Sequence, residues 1–231
     1  MGAKSRGKVA VITFPGSNCD RDMVNVLRDN FKVDAQLVWH EDPLPKDLVG
    51  IVLPGGFTYG DRLRSGAIAS HSPVIEKIKK FADAGMPILG VCNGFQILTE
   101  AQILPGALIR NESVTFECAR VEMEVKNNKT PFTSELKVGD KVPISIANGE
   151  GRYYIDAKGL EALKKNNQIV FSYSNHSNGS VENIAGVCNE KGNVVGLMPH
   201  PERAADEILN PGKNLPASLI FKSFLKAIRS D

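Results

Sequence analysis

The chain has 231 residues, enough for one substantial hydrophobic core and well above the size at which disulfides or metals must hold a fold together. Lys and Arg total 28 against 26 Asp and Glu, a formal charge of +2, so there is no broad electrostatic footprint for nucleic acid or an anionic membrane. No run reaches the roughly 18 apolar residues of a membrane span. The start MGAKSRG lacks the apolar stretch of a secretory leader and carries Arg6 where myristoylation needs Ser or Thr, so a cytoplasmic protein is expected. Cys19, Cys92, Cys118 and Cys188 are widely spaced with no CxxC pair, against a zinc knuckle or a disulfide scaffold. A cysteine that matters here acts alone.

In chain order, KVAVITF at 8–14 reads as a strand that stops at Pro15-Gly16. Met23, Val26, Leu27 and Phe31 then recur at helical spacing. VDAQLVWH, ending at His40, and GIVLP at 50–54 read as two further strands, the second closing on a Gly-Gly turn. From Pro73 to Ala84 an apolar face of Val74, Ile75, Ile78, Phe81 and Ala82 predicts a helix, opened by Ser72 and Pro73 and closed by Gly85. PILGV at 87–91 predicts a strand that runs directly into CNGFQILTEA, a partly buried helix. The second half is dominated by strands, at 118–125, 142–155, 168–173, 184–189 and 193–198, with helices over 156–166 and 217–228. Polar stretches at 126–130 and 174–183 are short enough for ordinary loops, and nothing repeats. The pattern predicts one α/β domain over residues 1–231. Its central sheet is largely parallel and flanked by helices, with additional antiparallel strands in the second half.

The strongest local signal is Gly90-Val91-Cys92-Asn93-Gly94, a Gly-x-Cys-x-Gly between an apolar strand and an amphipathic helix. It is the nucleophile-elbow pattern with Cys in place of Ser. Small residues on both sides let the chain turn sharply and expose the thiol at a helix N-terminus, where a thiolate is favoured. Taken alone, the motif fits a buried core cysteine beside a tight turn equally well. A cysteine nucleophile needs a base and a group to orient that base. Of the four histidines, His200 stands out in Met198-Pro199-His200-Pro201-Glu202, with prolines restricting its backbone and a carboxylate two residues on. Leu53-Pro54-Gly55-Gly56-Phe57 ends another strand, and its glycines allow the backbone to aim an N–H at an oxyanion, with the Asn93 amide as second donor. A simple turn is the alternative reading.

Pro54-Gly55-Gly56, Gly90 to Gln96 and Pro199 to Glu202, in this order, resemble the class I, or triad, glutamine amidotransferase family, and the resemblance implies its flavodoxin-like fold. FPGSNCDRD at 14–22, GGFTYGDRLRSGAIA at 55–69, NGEGRYY at 148–154 and MPHPER at 198–203 resemble its branch serving the purine-pathway synthetase that amidates formylglycinamide ribonucleotide. The resemblance implies that Cys92 attacks the side-chain amide of L-glutamine to form a glutamyl thioester, with His200 moving protons and Glu202 orienting it. Gly56 and Asn93 would supply the oxyanion amides, and Gly55, Gln96 and Phe116 would border the substrate. It further implies ammonia transfer to a large synthetase subunit, and a small accessory subunit is expected beside it. ATP and Mg are used by that synthetase, and no cofactor or metal belongs to this chain. The segment 18–22 and the Tyr59 to Arg64 loop resemble rim and docking parts of the family, although a capped helix start and a solvated loop describe them as well. At position 148 the family commonly has His, where this chain has Asn148, which cannot relay a proton but can make neutral hydrogen bonds. Two other readings stay open: a triad glutaminase serving another nucleotide or cofactor synthetase, and a cysteine-elbow protein of similar fold without glutaminase activity.

Overall fold

A computed structural model describes residues 7–211 and 215–229. Residues 1–6, on which the leader and myristoylation arguments rest, lie outside the described residues. The elements run β1 (Lys8–Thr13), α1 (Asp20–Asn25), β2 (Ala35–Trp39), β3 (Leu48–Leu53), α2 (Pro73–Asp83), β4 (Ile88–Val91), α3 (Asn93–Glu100), β5 (Ala107–Ile109) and β6 (Glu117–Val125). They continue through β7 (Lys141–Asn148), β8 (Arg152–Tyr154), α4 (Ala157–Lys165), β9 (Ile169–Tyr173), β10 (Ile184–Cys188), β11 (Val194–Leu197), α5 (Pro201–Ala204) and α6 (Ser218–Arg229).

Nine strands form one mixed sheet in the order β2-β1-β3-β4-β11-β10-β9-β6-β7. From β2 to β11 the pairing is parallel, and from β11 to β7 it is antiparallel. Continuous apolar runs such as VAVIT and ILGV are buried along their whole length, as strands covered on both faces must be. No helix among the described residues is long and apolar enough to cross a membrane.

Two expectations change in detail. The first helix is regular only over Asp20–Asn25. It continues as a wide turn over Val26–Asn30, closed by the Phe31 N–H on the Val26 carbonyl at 3.3 Å, and Val26 and Leu27 stay buried. The expected strand at 142–155 breaks in two. Asn111 captures the backbone between the halves: its N–H donates to the Gly149 carbonyl, its Nδ2 to the Asn148 carbonyl, and its Oδ1 accepts the Gly151 N–H, each at 2.9 Å. Beyond that break, β8 leaves the main sheet and pairs with β5, a three-residue strand too short to show an alternating pattern. Asp156 caps α4 as its position suggests, accepting the Gly159 N–H at 2.7 Å.

The topology gathers the sequence motifs. Strands β3, β4 and β11 are adjacent and parallel, so the loops leaving their carboxyl ends rise side by side. Those loops carry Gly55-Gly56, Cys92 and His200, and a crevice at strand carboxyl ends is where open α/β sheets bind ligands.

Candidate active site

Cys92 joins β4 to α3 with φ 51° and ψ −107°, a backbone conformation that a side-chain-bearing residue adopts only under constraint. Three hydrogen bonds supply the constraint. The Cys92 N–H donates to the Leu197 carbonyl at 2.8 Å, tying the elbow to β11, and the Cys92 carbonyl accepts the N–H groups of Phe95 and Gln96 at 3.0 and 3.1 Å. The flanking glycines are required by packing: a Cβ on Gly94 would run into the Leu53 carbonyl, and one on Gly90 would lie 2.8 Å from the Gly94 carbonyl oxygen. The Cys92 thiol reaches the Ala147 carbonyl at 3.8 Å.

His200 is held at both ends. Its backbone N–H donates to the Ser145 carbonyl at 2.8 Å, bridging to β7, and its Nδ1 donates to Glu202 Oε1 at 2.6 Å. Both side chains are essentially fully buried, and His200 Nε2 makes no hydrogen bond. Burial disfavours the imidazolium, but Glu202, then Cys92 and Cys19, outweigh it and push the His200 pKa well above the ordinary imidazole range. The ring is therefore poised to hold a proton beside two sulfurs and a carboxylate.

The second sulfur was not anticipated. Cys19, at the start of α1, lies with His200 and Glu202 so that donor atoms of all three fall within 4.8 Å of one another. Arg203 Nη2 donates to Cys19 Sγ at 3.2 Å, and the thiol donates to Asn18 Oδ1 at 3.3 Å. These three residues could also be read as metal ligands, a grouping that sequence spacing cannot reveal. In the fold His200 Nδ1 and Glu202 Oε1 are spent on each other and the Cys19 sulfur is held by Arg203 and Asn18, while His200 Nε2 and Glu202 Oε2 make no hydrogen bond. The two thiols differ in what they face. Cys92 lines an open cavity of about 350 Å³, a size suited to a small molecule, whereas Cys19 and His200 do not line it and both lie against Gly55.

Gly56, Gln96 and Phe116 line the same cavity. Gly55 packs against the imidazole, where a Cβ would lie 2.8 Å from His200 Cε1. Asn93 is buried, with its Oδ1 accepting the Thr58 N–H at 3.3 Å and its Nδ2 donating to Gln96 Oε1 at 3.0 Å. Gln96 Nε2 in turn donates to the Glu150 carbonyl at 2.8 Å, so its amide braces the wall between α3 and the 149–151 turn. Phe116 stands at the mouth beside Phe57, ring centroids 6.1 Å apart. Sequence reasoning missed Asp61, Ser65, Arg110 and Glu150 as lining residues. Asp61 belongs to the GGFTYGDRLRSG segment, but nothing in the spacing aims it at Cys92. Of the two arginines in that loop, Arg64 forms a two-pronged ion pair with Glu100 of its own chain, 2.6 Å at each contact.

Residues 6–226 match the CobB/CobQ-like glutamine amidotransferase domain. The chain is similar to a structure of PurLQS from Thermotoga maritima, at 44% identity and a TM-score of 0.85, covering 96% of this chain and 98% of that one. It shares its fold with a putative GMP synthase protein from Thermoplasma acidophilum, at 17% identity and a TM-score of 0.60 over 96% and 94% of the two chains. A glutamine amidotransferase from Thermotoga maritima shows the same likeness, at 16% identity and a TM-score of 0.61 over 97% and 99%. With its elbow cysteine, its buried histidine–glutamate pair and a match along nearly its whole length, the chain belongs to the class I glutamine amidotransferase family of enzymes.

Proposed function

We propose that the chain is the glutaminase subunit of phosphoribosylformylglycinamidine synthase and that Cys92 is its nucleophile. The observation that carries this reading is the convergence of Cys92, His200-Glu202 and Gly55-Gly56 at one crevice, in a chain 44% identical to PurLQS over 96% of its length. The segments at 14–22 and 55–69 favour this synthetase over one making another nucleotide.

In the proposed reaction His200 takes the Cys92 thiol proton, the sulfur attacks the side-chain carbonyl carbon of L-glutamine, and the oxyanion is met by the Gly56 and Asn93 amides. His200, held by Glu202, gives a proton to the departing nitrogen, so ammonia leaves and a glutamyl thioester remains. Water, deprotonated by His200, then attacks the thioester and releases glutamate and the thiol. Glutamine and water thus become glutamate, ammonia and one proton that the new carboxyl group gives to solvent, and His200 returns the proton taken from water to the Cys92 sulfur, so the enzyme ends as it began. Cys92 is preferred to Cys19 because it lines the cavity and occupies the strained elbow.

Ammonia would pass to a large synthetase subunit that uses ATP and Mg, with a small accessory subunit in the same assembly. Exposed apolar side chains at the cavity support such a docking: Val114 is 66% exposed and Phe116 54%, and both line it. The test is glutamate release from glutamine by the chain, alone and mixed with matching synthetase subunits, ADP and formylglycinamide ribonucleotide. Strong activation that vanishes with Cys92→Ala is expected. Activation by a different synthetase instead would overturn the assignment.

A further inference from the structure

The segment Pro15-Gly16-Ser17-Asn18-Cys19, between β1 and α1, touches both the oxyanion turn and the base, yet the reaction assigns it no task. Its backbone clamps the turn. The N–H groups of Asn18 and Cys19 converge on the Gly55 carbonyl at 3.4 and 3.1 Å, the Phe57 N–H donates to the Gly16 carbonyl at 3.0 Å, and Ser17 pairs with Gly56 as an isolated antiparallel bridge. Gly16 has φ 91°, and a Cβ there would lie 2.3 Å from the Phe57 carbonyl oxygen, so the two loops meet at a separation that only glycine allows.

The Cys19 side chain reaches the base. It is 3% exposed, and a Cβ on Gly55 would lie 3.2 Å from its sulfur and 2.8 Å from His200 Cε1, so sulfur and imidazole share one side of that glycine. Arg203 Nη2 at 3.2 Å and Asn18 Oδ1 at 3.3 Å fix the sulfur in place. Glu202, Cys92 and Cys19 all raise the His200 pKa, and the reaction uses only the first two. A single side-chain hydrogen bond, from Nδ1 to Glu202, leaves the ring free to tilt about that contact. A fixed sulfur beside it removes that freedom, as a supporting shell must around a proton-transfer group.

We propose that Cys19 is a positioning residue for the glutaminase reaction: its backbone holds the Gly55-Gly56 turn, its sulfur, fixed by Arg203, holds the His200 ring, and one residue thereby keeps oxyanion donor and proton carrier in register. This rests on the glutaminase reading above. Because Cys19 does not line the cavity, its loss acts on turnover and not on substrate binding.

The test is steady-state glutamine hydrolysis by the chain assembled with its synthetase subunits. Cys19→Ala should lower kcat about 10- to 100-fold, the range for one hydrogen bond to a charged group, with KM within about twofold of wild type. Cys19→Ser, which keeps a donor and acceptor at that position, should stay within about threefold of wild type. Arg203→Met keeps the stem and removes the donor, so it should lower kcat by a factor similar to Cys19→Ala, and combining the two should add less than about twofold. Wild-type kcat in Cys19→Ala, or a loss confined to KM, would overturn the assignment. Losses that multiply in the double variant would overturn it as well, because Arg203 would then act without the sulfur. Should Cys19→Ala fail to fold, Arg203→Met decides alone, and an unchanged kcat overturns the proposal. Failure of wild type to hydrolyse glutamine at all is a separate result, overturning the glutaminase reading itself.

Discussion

The two halves of the sheet are buried differently and contribute differently to the site. In the parallel half, β1, β3, β4 and β11 bury nearly every residue, so their strands are fixed on both faces and only the loops at their ends reach the crevice. In the antiparallel half, β6 and β7 alternate buried with exposed or half-buried positions over much of their length, and they meet the site along their flank. The parallel half thus delivers the reactive groups on rigid strand ends, and the antiparallel half supplies a wall and an anchor. Ala147 and Asn148 form part of the wall, and the Ser145 carbonyl anchors His200 from across the seam. A site assembled at such a junction takes its chemistry from one region and its alignment from both.

Variants can break or sharpen this contrast. The largest effect should come from His200, which both halves hold: His200→Ala should lower glutamine turnover about 10²- to 10⁴-fold, the range for losing a proton-transfer group. Glu202→Gln keeps the shape but weakens the orienting contact. A smaller loss of roughly 10- to 100-fold is expected, matching the ~1–3 kcal/mol of a disrupted buried hydrogen bond. If turnover at saturating glutamine stayed near wild type in either variant, the His200 role would be wrong.

Gly94→Ala attacks the parallel half alone, by forcing a methyl group against the Leu53 carbonyl. A stability loss of about 1–3 kcal/mol in urea unfolding is expected, as for overpacked cores; no loss would show that α3 is free to move away from the strands. Arg64→Ala, at a side chain 63% exposed, should change stability by less than ~1 kcal/mol despite its two short contacts to Glu100. A larger change would mean that this ion pair fixes the loop carrying Asp61.

The elements around the nucleophile were legible because their signals are local. PILGV reads as a strand, the glycines at 90 and 94 read as a sharp turn, and Phe95, Ile97 and Leu98 read as a partly buried helix face. The β3, β4 and β11 loops were each marked by Gly or Pro, so the triad could be proposed from punctuation and residue type. What escaped depends on contacts between segments far apart in the chain. Asn111 splits the 142–155 strand by bonding to backbone that only the fold brings near it. Cys19 reaches His200 because the loops after β1 and β11 meet over the sheet, and the Asp61 wall forms only when its loop closes against Glu150. The partner of Arg64, Glu100, lies at the end of a helix 36 residues on, a pairing that spacing along the chain does not reveal.

The claim on which the account depends is that, of the two thiols beside His200, Cys92 is the one that attacks. Treating the chain, in complex with its synthetase subunits, with the glutamine-mimicking alkylator 6-diazo-5-oxo-L-norleucine and mapping the adduct by peptide mass spectrometry tests it directly. A single adduct on Cys92, suppressed by excess glutamine, is predicted. An adduct on Cys19 with Cys92 unmodified would contradict it.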